Sequence, residues 1–148
     1  MATPKSKLIS LDRSKFVQWN EQMAKTYDIQ DFLDNSFFFI RYVEKKRIRI
    51  LLRLLGCRTT DSVIEVGCGQ GIILKQVRSK LRFGIDLSIS NVRKARRLFK
   101  NENLNLTVAN AEMIPVDDHS FDRIICTEVI EHVQNPEKLL KEIIRILK

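Results

Sequence analysis

Three glycines alternate with other residues in the stretch EVGCGQG, residues 65–71, directly after an apolar run. Glycine permits positive φ angles and lets a ligand approach the backbone closely. A phosphate-binding P-loop needs a Lys followed by Ser or Thr after its last glycine, and Ile72 and Ile73 exclude it. A dinucleotide loop has the spacing G-x-G-x-x-G, whereas the third glycine comes one residue early here. The spacing favours a turn that closes on a ligand without a pyrophosphate, and a tight turn with no ligand is the alternative.

A carboxylate follows where a ribose would be recognised. Asp86 ends a second apolar run, nineteen residues after Gly67. An acid at the tip of the neighbouring strand can accept hydrogen bonds from both ribose hydroxyls. This feature does not separate NAD from another adenosine ligand, and a solvent-exposed turn aspartate is the alternative.

The elements that must position these residues alternate between strands and helices after an N-terminal helical segment. Short β-branched or alternating runs predict four strands, and amphipathic runs predict the helices. Such alternation predicts an α/β fold, a Rossmann-like doubly wound parallel sheet with helices on both faces. The predicted strands are 62–66, 81–86, 104–109 and 121–127, and the predicted helices are 14–27, 37–55, 72–80, the segment after Ser88 and the segment after Asn135.

The helix ends carry their own signals. Gly56 is a natural C-cap for the helix at 37–55, and Ser88 can cap the helix that buries Val92, Ala95 and Phe99. Asn135 caps the last helix, with Pro136 at its first position. We expect that helix to bury one apolar stripe. The stripe would comprise Leu139, Leu140, Ile143, Ile144 and Leu147.

Composition sets broad limits. The chain has 148 residues, 44% hydrophobic and 30% charged, which suits one globular domain rather than a disordered protein. No apolar run is long enough to span a membrane and MATPKSKLIS lacks the apolar core of a signal peptide, so we expect a cytoplasmic protein. The three cysteines are not paired in CxxC spacing, which predicts reduced thiols and no metal site.

The formal charge of +8 favours anionic partners. Basic residues recur every fourth position in the helix at 37–55, and a second basic cluster follows Asp86. A nucleic acid could use such surfaces, but we expect an ordinary solvated face because the clusters lack interleaved exposed aromatics. The first set is Arg41, Lys45, Arg49 and Arg53, and the second is Arg93, Lys94, Arg96, Arg97 and Lys100.

Several segments together resemble the motifs of class I S-adenosylmethionine-dependent methyltransferases of the methyltransferase type 11-like group. They are EVGCGQG, GIDLS and the run from NAEMIP to RILK, in order and at the expected spacings over residues 61–148; WNEQMAKTYD resembles the helix that precedes the domain. The resemblance implies strand order 3-2-1-4, an N-terminal helical segment at 1–58 and a methyltransferase domain at 59–148. It also implies further strands after RILK, so the chain would be a fragment, a truncated gene product or a protein completed by a partner. Its fourth strand would be an edge open to self-association.

The resemblance implies that S-adenosyl-L-methionine is the cofactor. Glu65 would hold its methionine portion, Asp86 its ribose, and Leu87 would pack on adenine. Asn110 stands where the family usually has Asp, which keeps an acceptor oxygen but loses the charge. The implied cofactor-binding residues are Glu65, Gly67, Cys68, Gly69, Gly71, Asp86, Leu87, Asn110, Ala111, Glu112, Met113, Thr127 and Glu128.

The implied reaction is transfer of the sulfonium methyl group to an unidentified small molecule, quinone-like lipid or tRNA. No catalytic base is identified. His132 is either a base or a packed side chain, and Tyr27 either closes over the cofactor or packs in the core. We expect Cys68 to be a small apolar filler rather than a nucleophile. Two other hypotheses stay open: a non-catalytic methyltransferase-like partner module, and a nicotinamide-dependent oxidoreductase, which the glycine spacing disfavours.

Overall fold

A computed structural model describes residues 13–26, 36–99 and 104–148, so Tyr27 and Lys100 lie outside the described residues. The predicted order of elements is confirmed except at 72–80. Two single 3-10 turns accompany the helices and strands. The elements are α1 (Arg13–Thr26), α2 (Phe38–Leu55), β1 (Ser62–Val66), a turn at Leu74–Gln76, β2 (Leu81–Asp86), α3 (Ile89–Leu98), β3 (Asn105–Val108), β4 (Arg123–Cys126), a turn at Ile130–His132 and α4 (Pro136–Ile146).

The four strands form one parallel sheet in the order β3-β2-β1-β4. Glu65 of β1 lies opposite Gly84 of β2 and Ile125 of β4, so β1 is an inner strand with a neighbour on each side. Beyond the start of β4, Leu147 forms one parallel bridge with Phe121. The Rossmann-like α/β class and the predicted strand order are therefore confirmed, and self-association through the edge of β4 stays a prediction.

Alternate residues of β1 point to two separate cores. Val63 packs on one face with Ile48 of α2 and Val92 of α3. Ile64 packs on the opposite face with Leu139 of α4. Ile64 is fully buried, and burial of such a side chain contributes about 1.5–3 kcal/mol. Helices cover both faces of the sheet, so its ligand-binding edge is at the strand ends.

The predicted caps hold these helices in place. The Ser88 hydroxyl accepts a hydrogen bond from the Asn91 N–H, and the Asn135 side chain accepts one from the Lys138 N–H. Gly56 ends α2 in the left-handed region with φ 55°. Pro136 occupies the start of α4, where its missing N–H costs no hydrogen bond.

The prediction of a helix at 72–80 is wrong, because only the turn at Leu74–Gln76 forms and Val77 is already extended. Fourteen residues separate β1 from β2, and the glycine loop takes the first of them. The Leu74 N–H donates to the buried Glu65 carboxyl group at 3.0 Å, as an N–H of a first helical turn can. The chain is extended again at Val77, so the segment between the glycine loop and β2 holds one turn and not a helix.

The predicted apolar stripe of α4 is wrong at three of its positions. Leu139 and Ile146 are 1% and 0% exposed, whereas Leu140 and Ile144 are 48% and 71% exposed. Leu147 is 40% exposed and lies past the helix end in extended conformation. Residues 139, 143 and 146 share one face at helical spacing, and a step of one residue rotates a side chain about 100° away from it.

None of the helices within the described ranges combines the length and the apolar character needed to cross a bilayer.

Candidate functional site

A cavity of about 600 Å³ opens at the carboxyl ends of the central strands. Its walls come from the loops after β1, β2, β3 and β4 and from α1 and α2. Its volume is in the range of small-molecule sites, about 300–1,000 Å³. The sequence-predicted residues that line it are Glu65, Gly67, Cys68, Gly69, Asp86, Leu87, Asn110, Ala111, Thr127 and Glu128.

The glycine loop meets different surroundings at its first two glycines. Gly67 and Gly69 have φ of 71° and 51°, a region that side chains disfavour. A Cβ at Gly67 would lie 2.3 Å from the Cγ2 of Val129, whereas a Cβ at Gly69 would meet nothing within 4 Å. Gly67 is therefore needed for close packing, and Gly69 leaves bare backbone beside open space.

The Asp86 carboxylate organises the rim of the cavity. Its Oδ2 accepts from the Gly69 N–H at 2.8 Å, which joins the β1 loop to the end of β2. Its Oδ1 accepts from the Ser88 N–H at 2.9 Å and from the Asn91 side-chain amide at 3.2 Å. The acid therefore faces the cavity and holds two loops in register.

The Glu65 carboxyl is a buried acid at the floor of the cavity. It is 3% exposed and accepts a hydrogen bond from the Leu74 N–H. Burial raises its pKa to about 8, against the lowering effect of that hydrogen bond, and the negative charge of Asp86 adds to the rise. Glu65 is thus mostly protonated at neutral pH unless a cation lies beside it.

Cys68 is a packed side chain of the same loop. Its N–H donates to the Ile85 carbonyl at 2.8 Å, and the residue is 5% exposed. Burial raises the pKa of its thiol, and the charges of Glu65 and Asp86 raise it further. The thiol is therefore neutral and unsuited to act as a nucleophile.

Three of the predicted residues do not line the cavity. A Cβ at Gly71 would lie 2.7 Å from the Phe99 ring, so Gly71 lets α3 approach the loop. The Glu112 carboxylate accepts from the Gln134 and Asn135 N–H groups at 2.7 and 3.2 Å, which ties the loop after β3 to the start of α4. Met113 is 67% exposed on the outside of that loop. Glu112 and Gly71 therefore lie outside the cavity lining and hold in place the loops that form it.

The loop after β4 forms the opposite wall. Glu128 has a φ of 57°, unusual for a residue with a side chain, and its carboxylate lies 3.6 Å from the Arg47 guanidinium of α2. His132 lines the same wall, is exposed, and has its ring centroid 6.3 Å from that of Trp19. The described structure therefore places His132 at the cavity surface rather than beneath it.

Helix α1 covers the cavity, a role that the sequence reasoning missed. Trp19 and Met23 line the cavity, and each is about two-fifths exposed. The Glu21 carboxylate accepts hydrogen bonds from the hydroxyls of Ser88 and Ser90, which fastens α1 to the start of α3. The aromatic spacing of α1 indicated a helix, but no local signal told a core face from a face over a ligand site.

Helix α2 also contributes residues that the sequence reasoning did not assign to the site. Ile40, Glu44, Arg47 and Ile48 line the cavity at helical spacing.

Asn110, which was predicted, uses its side-chain oxygen to accept from the Glu112 N–H at 2.9 Å. Its acceptor is therefore partly engaged within its own turn.

A parallel sheet with a glycine loop after β1 and an acid at the tip of β2 is the arrangement of a Rossmann-like fold that binds an adenosine ligand. Residues 64–148 match the family described as Methyltransferase domain, and the chain belongs to that family.

Comparisons with individual proteins agree with this membership. The chain is 27% identical over 137 residues to a malonyl-[acyl-carrier protein] O-methyltransferase of Marinomonas sp., covering 89% of this chain and 50% of that protein. It is 29% identical over 138 residues to a ubiquinone biosynthesis O-methyltransferase of Coxiella burnetii, covering 86% and 57%. The chain therefore spans about half the length of the curated relatives it matches.

A solved structure shares the fold over nearly the whole chain. It is a complex between the Haloferax volcanii Trm112 methyltransferase activator and a methyltransferase. The TM-score is 0.68 at 24% identity, covering 93% of this chain and 57% of that one. This likeness supports the fold.

Proposed function

We propose that this chain binds S-adenosylmethionine in the cavity and that the protein transfers its methyl group to an acceptor. The observation that carries the proposal is the 2.8 Å hydrogen bond from the Gly69 N–H to Asp86, which sets bare backbone beside an acid at the cavity rim. The family membership and the relatives named O-methyltransferases support the same chemistry. The acceptor classes are those expected from the sequence: a small molecule, a quinone-like lipid or tRNA.

The residues present fit the nucleoside half of this cofactor. A carboxylate offers about four acceptor sites, and three of those of Asp86 are engaged. One site is left for a ribose hydroxyl, and a second hydroxyl can replace the Asn91 amide, whose hydrogen bond is the longest of the three. The apolar Leu87 and the small Ala111 line the part of the cavity where adenine would pack.

Glu65 fits the cationic amino group of the methionine portion. The carboxyl lines the cavity and is buried, so a neighbouring ammonium group would favour its ionised form. Cofactor binding would therefore release a proton from Glu65 near neutral pH. The neutral Cys68 and the bare Gly69 would fill the space beneath the ligand without competing charge.

When bound, S-adenosylmethionine supplies a methyl group on a positively charged sulfonium, ready for in-line displacement. The protein would align the two reactants and exclude water. Trp19 and Met23 of α1 cover the cavity, which supports the exclusion of water. Glu128 and His132 are titratable side chains on the wall after β4. A proton lost by the acceptor would go to one of these two groups or to water.

The N-terminal and C-terminal parts of the chain would have different roles in binding the cofactor. We propose that residues 1–58 form a helical segment that serves as cover and that residues 59–148 form the cofactor-binding domain. The hydrogen bonds from Ser88 and Ser90 to Glu21 support this division of labour, because they fasten the cover to the domain next to Asp86.

Calorimetry with S-adenosylmethionine, S-adenosylhomocysteine and NAD tests the proposal. We expect the first two to bind, and Asp86→Ala to weaken both by at least about tenfold, since hydrogen bonds to a charged group contribute about 1.5–3 kcal/mol. Asp117→Ala is the matched control, because it removes an exposed carboxylate away from the cavity. Thermal melts of both variants check that the fold is kept.

The other outcomes of these measurements distinguish the competing functions. Binding of NAD alone would contradict the proposal and favour an oxidoreductase. Binding of S-adenosylmethionine with no release of S-adenosylhomocysteine in the presence of acceptors would favour a non-catalytic partner module. Equal affinity of Asp86→Ala and the unsubstituted chain would reject the site assignment.

A further inference from the structure

Helix α2 carries a basic ridge on its outer face, defined by Arg41, Lys45, Arg49 and Arg53. All four side chains are exposed. Successive members are four residues apart, so they recur about every 6 Å and the ridge is about 18 Å long. A row of like charges this close raises the free energy of the free protein, and a bound polyanion would relieve it.

The ridge borders a groove rather than a flat surface. The groove is lined by Lys45, Arg49 and Arg53 of α2 together with Leu52, Gln76 and Arg78. Arg78 comes from the segment after the glycine loop, so two parts of the chain supply the cations. Within the described residues, no carboxylate oxygen lies within 4.0 Å of these four basic groups. The groove is therefore a positive site whose lining also includes the apolar Leu52.

Exposed aromatics accompany the ridge, which corrects the expectation from the sequence. Tyr42 is 59% exposed and follows Arg41 directly, and Phe38 is 77% exposed one turn earlier. Flat rings beside cations are the combination with which proteins hold single-stranded nucleic acids, by stacking on bases and pairing with phosphates. The expectation of a merely solvated face assumed that exposed aromatics are lacking, and Tyr42 and Phe38 supply them at α2.

The ridge starts beside the proposed cofactor site. Ile40 and Glu44, on either side of Arg41 in the helix, line the cavity. A polyanion that follows the ridge from Arg53 toward Arg41 would thus arrive at the cavity mouth. The same helix presents one face to the cavity and the adjoining face to the ridge.

We propose that the ridge and groove of α2 bind the phosphate backbone of a single-stranded nucleic acid and lead it to the cavity. The bound strand is then the methyl acceptor, and this part of the inference alone rests on the proposed function. Binding itself depends on the ridge alone. A nucleic acid is favoured over an anionic membrane because the cations line a groove, which admits a strand but not a planar bilayer.

The test is fluorescence anisotropy with a labelled single-stranded RNA long enough to span the ridge, over a series of salt concentrations. We compare the 148-residue chain with the triple variant Lys45→Gln, Arg49→Gln, Arg53→Gln. Neutralising three phosphate contacts should weaken binding about tenfold or more near 0.1 M salt and reduce the slope of log Kd against log salt by about 2. Tyr42→Ala should weaken binding about tenfold without changing the slope.

The matched control is the triple variant Arg93→Gln, Arg97→Gln, Lys141→Gln, which removes the same charge from exposed positions outside the ridge. It should keep the affinity within about twofold. Equal losses in the two triple variants, or no RNA binding at all, would overturn the proposal. So would binding only to vesicles of phosphatidylcholine and phosphatidylserine in equal parts, which would assign the ridge to a membrane surface.

The two proposals fail separately. Calorimetry with S-adenosylmethionine should give the same affinity for the ridge variant and the unsubstituted chain, because none of the three substituted residues lines the cavity. RNA binding without cofactor binding would reject the proposed function and keep the ridge. Cofactor binding without RNA binding would reject the ridge proposal and keep the proposed function.

Discussion

Gly69 and Asp86 are joined by a 2.8 Å hydrogen bond from the glycine N–H to the aspartate Oδ2. Gly69 lies in the loop after β1 and Asp86 ends the neighbouring parallel strand β2, so the bond fixes that loop against the tip of β2. Because Asp86 also accepts from the Ser88 N–H just before α3, one carboxylate holds the two loops that follow β1 and β2. Such an arrangement prepares the site before a ligand arrives, which lowers the ordering cost of binding.

Replacing Gly67 by Ala should destabilise the fold more than the same change at Gly69. Both glycines have positive φ, but only at Gly67 would the new Cβ lie 2.3 Å from Val129. Overpacking costs about 1–3 kcal/mol, beyond the backbone strain common to both positions. Urea unfolding of the two variants measures the difference, and equal free energies of unfolding would contradict the close packing at Gly67.

Gly69→Ala should chiefly affect the ligand. A Cβ there enters open space beside the cavity, so we expect at least about tenfold weaker S-adenosylmethionine binding at a modest loss of stability. Calorimetry gives the affinity, and Gly67→Ala provides the contrasting case. Unchanged affinity for Gly69→Ala would show that the ligand does not approach this backbone.

Stability should fall as pH rises from about 4.5 to 8, because of Glu65. Its pKa is raised by burial from 4.5 to about 8, so across this window the folded state binds the proton more strongly than the unfolded state does. By linkage, unfolding then becomes easier with rising pH. Urea titrations of the chain and of Glu65→Gln at several pH values measure this, and the variant should show a flatter profile.

The same group links cofactor affinity to pH in the opposite direction. Under the proposed function an ionised Glu65 pairs with the amino group of the cofactor, so affinity should rise as pH approaches 8. Calorimetry in buffers of different ionisation enthalpy should record proton release on binding. A pH-independent affinity, or no proton release, would remove Glu65 from the methionine subsite.

Glu21→Ala should loosen the cover over the cavity. Burial would raise the pKa of Glu21, but hydrogen bonds from Ser88 and Ser90 outweigh it and lower the pKa, so the carboxylate is ionised and held. Loss of these bonds should speed cofactor dissociation several-fold and expose α1 to proteolysis. Glu137→Ala, at an exposed acid of α4, is the control. Identical dissociation rates in stopped-flow experiments would show that α1 does not act as a cover.

The two sides of α4 should respond differently to truncation. Ile146 is 0% exposed and Ile144 is 71% exposed. Ile146→Ala should cost about 2–5 kcal/mol of unfolding free energy, and Ile144→Ala should stay within about 0.5 kcal/mol. Denaturant unfolding of the pair checks the corrected stripe, and a large loss at Ile144 would restore the stripe expected from the sequence.

Local patterns determined most of the elements. The β-branched run of β1, the cap at Ser88 and the Pro136 start of α4 each act within a few residues, so the sequence alone predicts them. The glycine spacing and Asp86 predicted the edge of the sheet that holds the cavity, since the carboxyl ends of parallel strands meet there.

Only the tertiary structure decided how distant segments use their shared surfaces. The segment at 72–80 forms a single turn, in which the Leu74 N–H donates to Glu65, and it is extended again at Val77. Glu112 does not line the cavity, because its carboxylate accepts a hydrogen bond from the backbone just before α4. Helix α1 lies over the cavity, where a hydrogen bond to Glu21 fastens it. These contacts form only when segments that are far apart in sequence come together in the fold. The periodicity of apolar residues within one segment does not specify them.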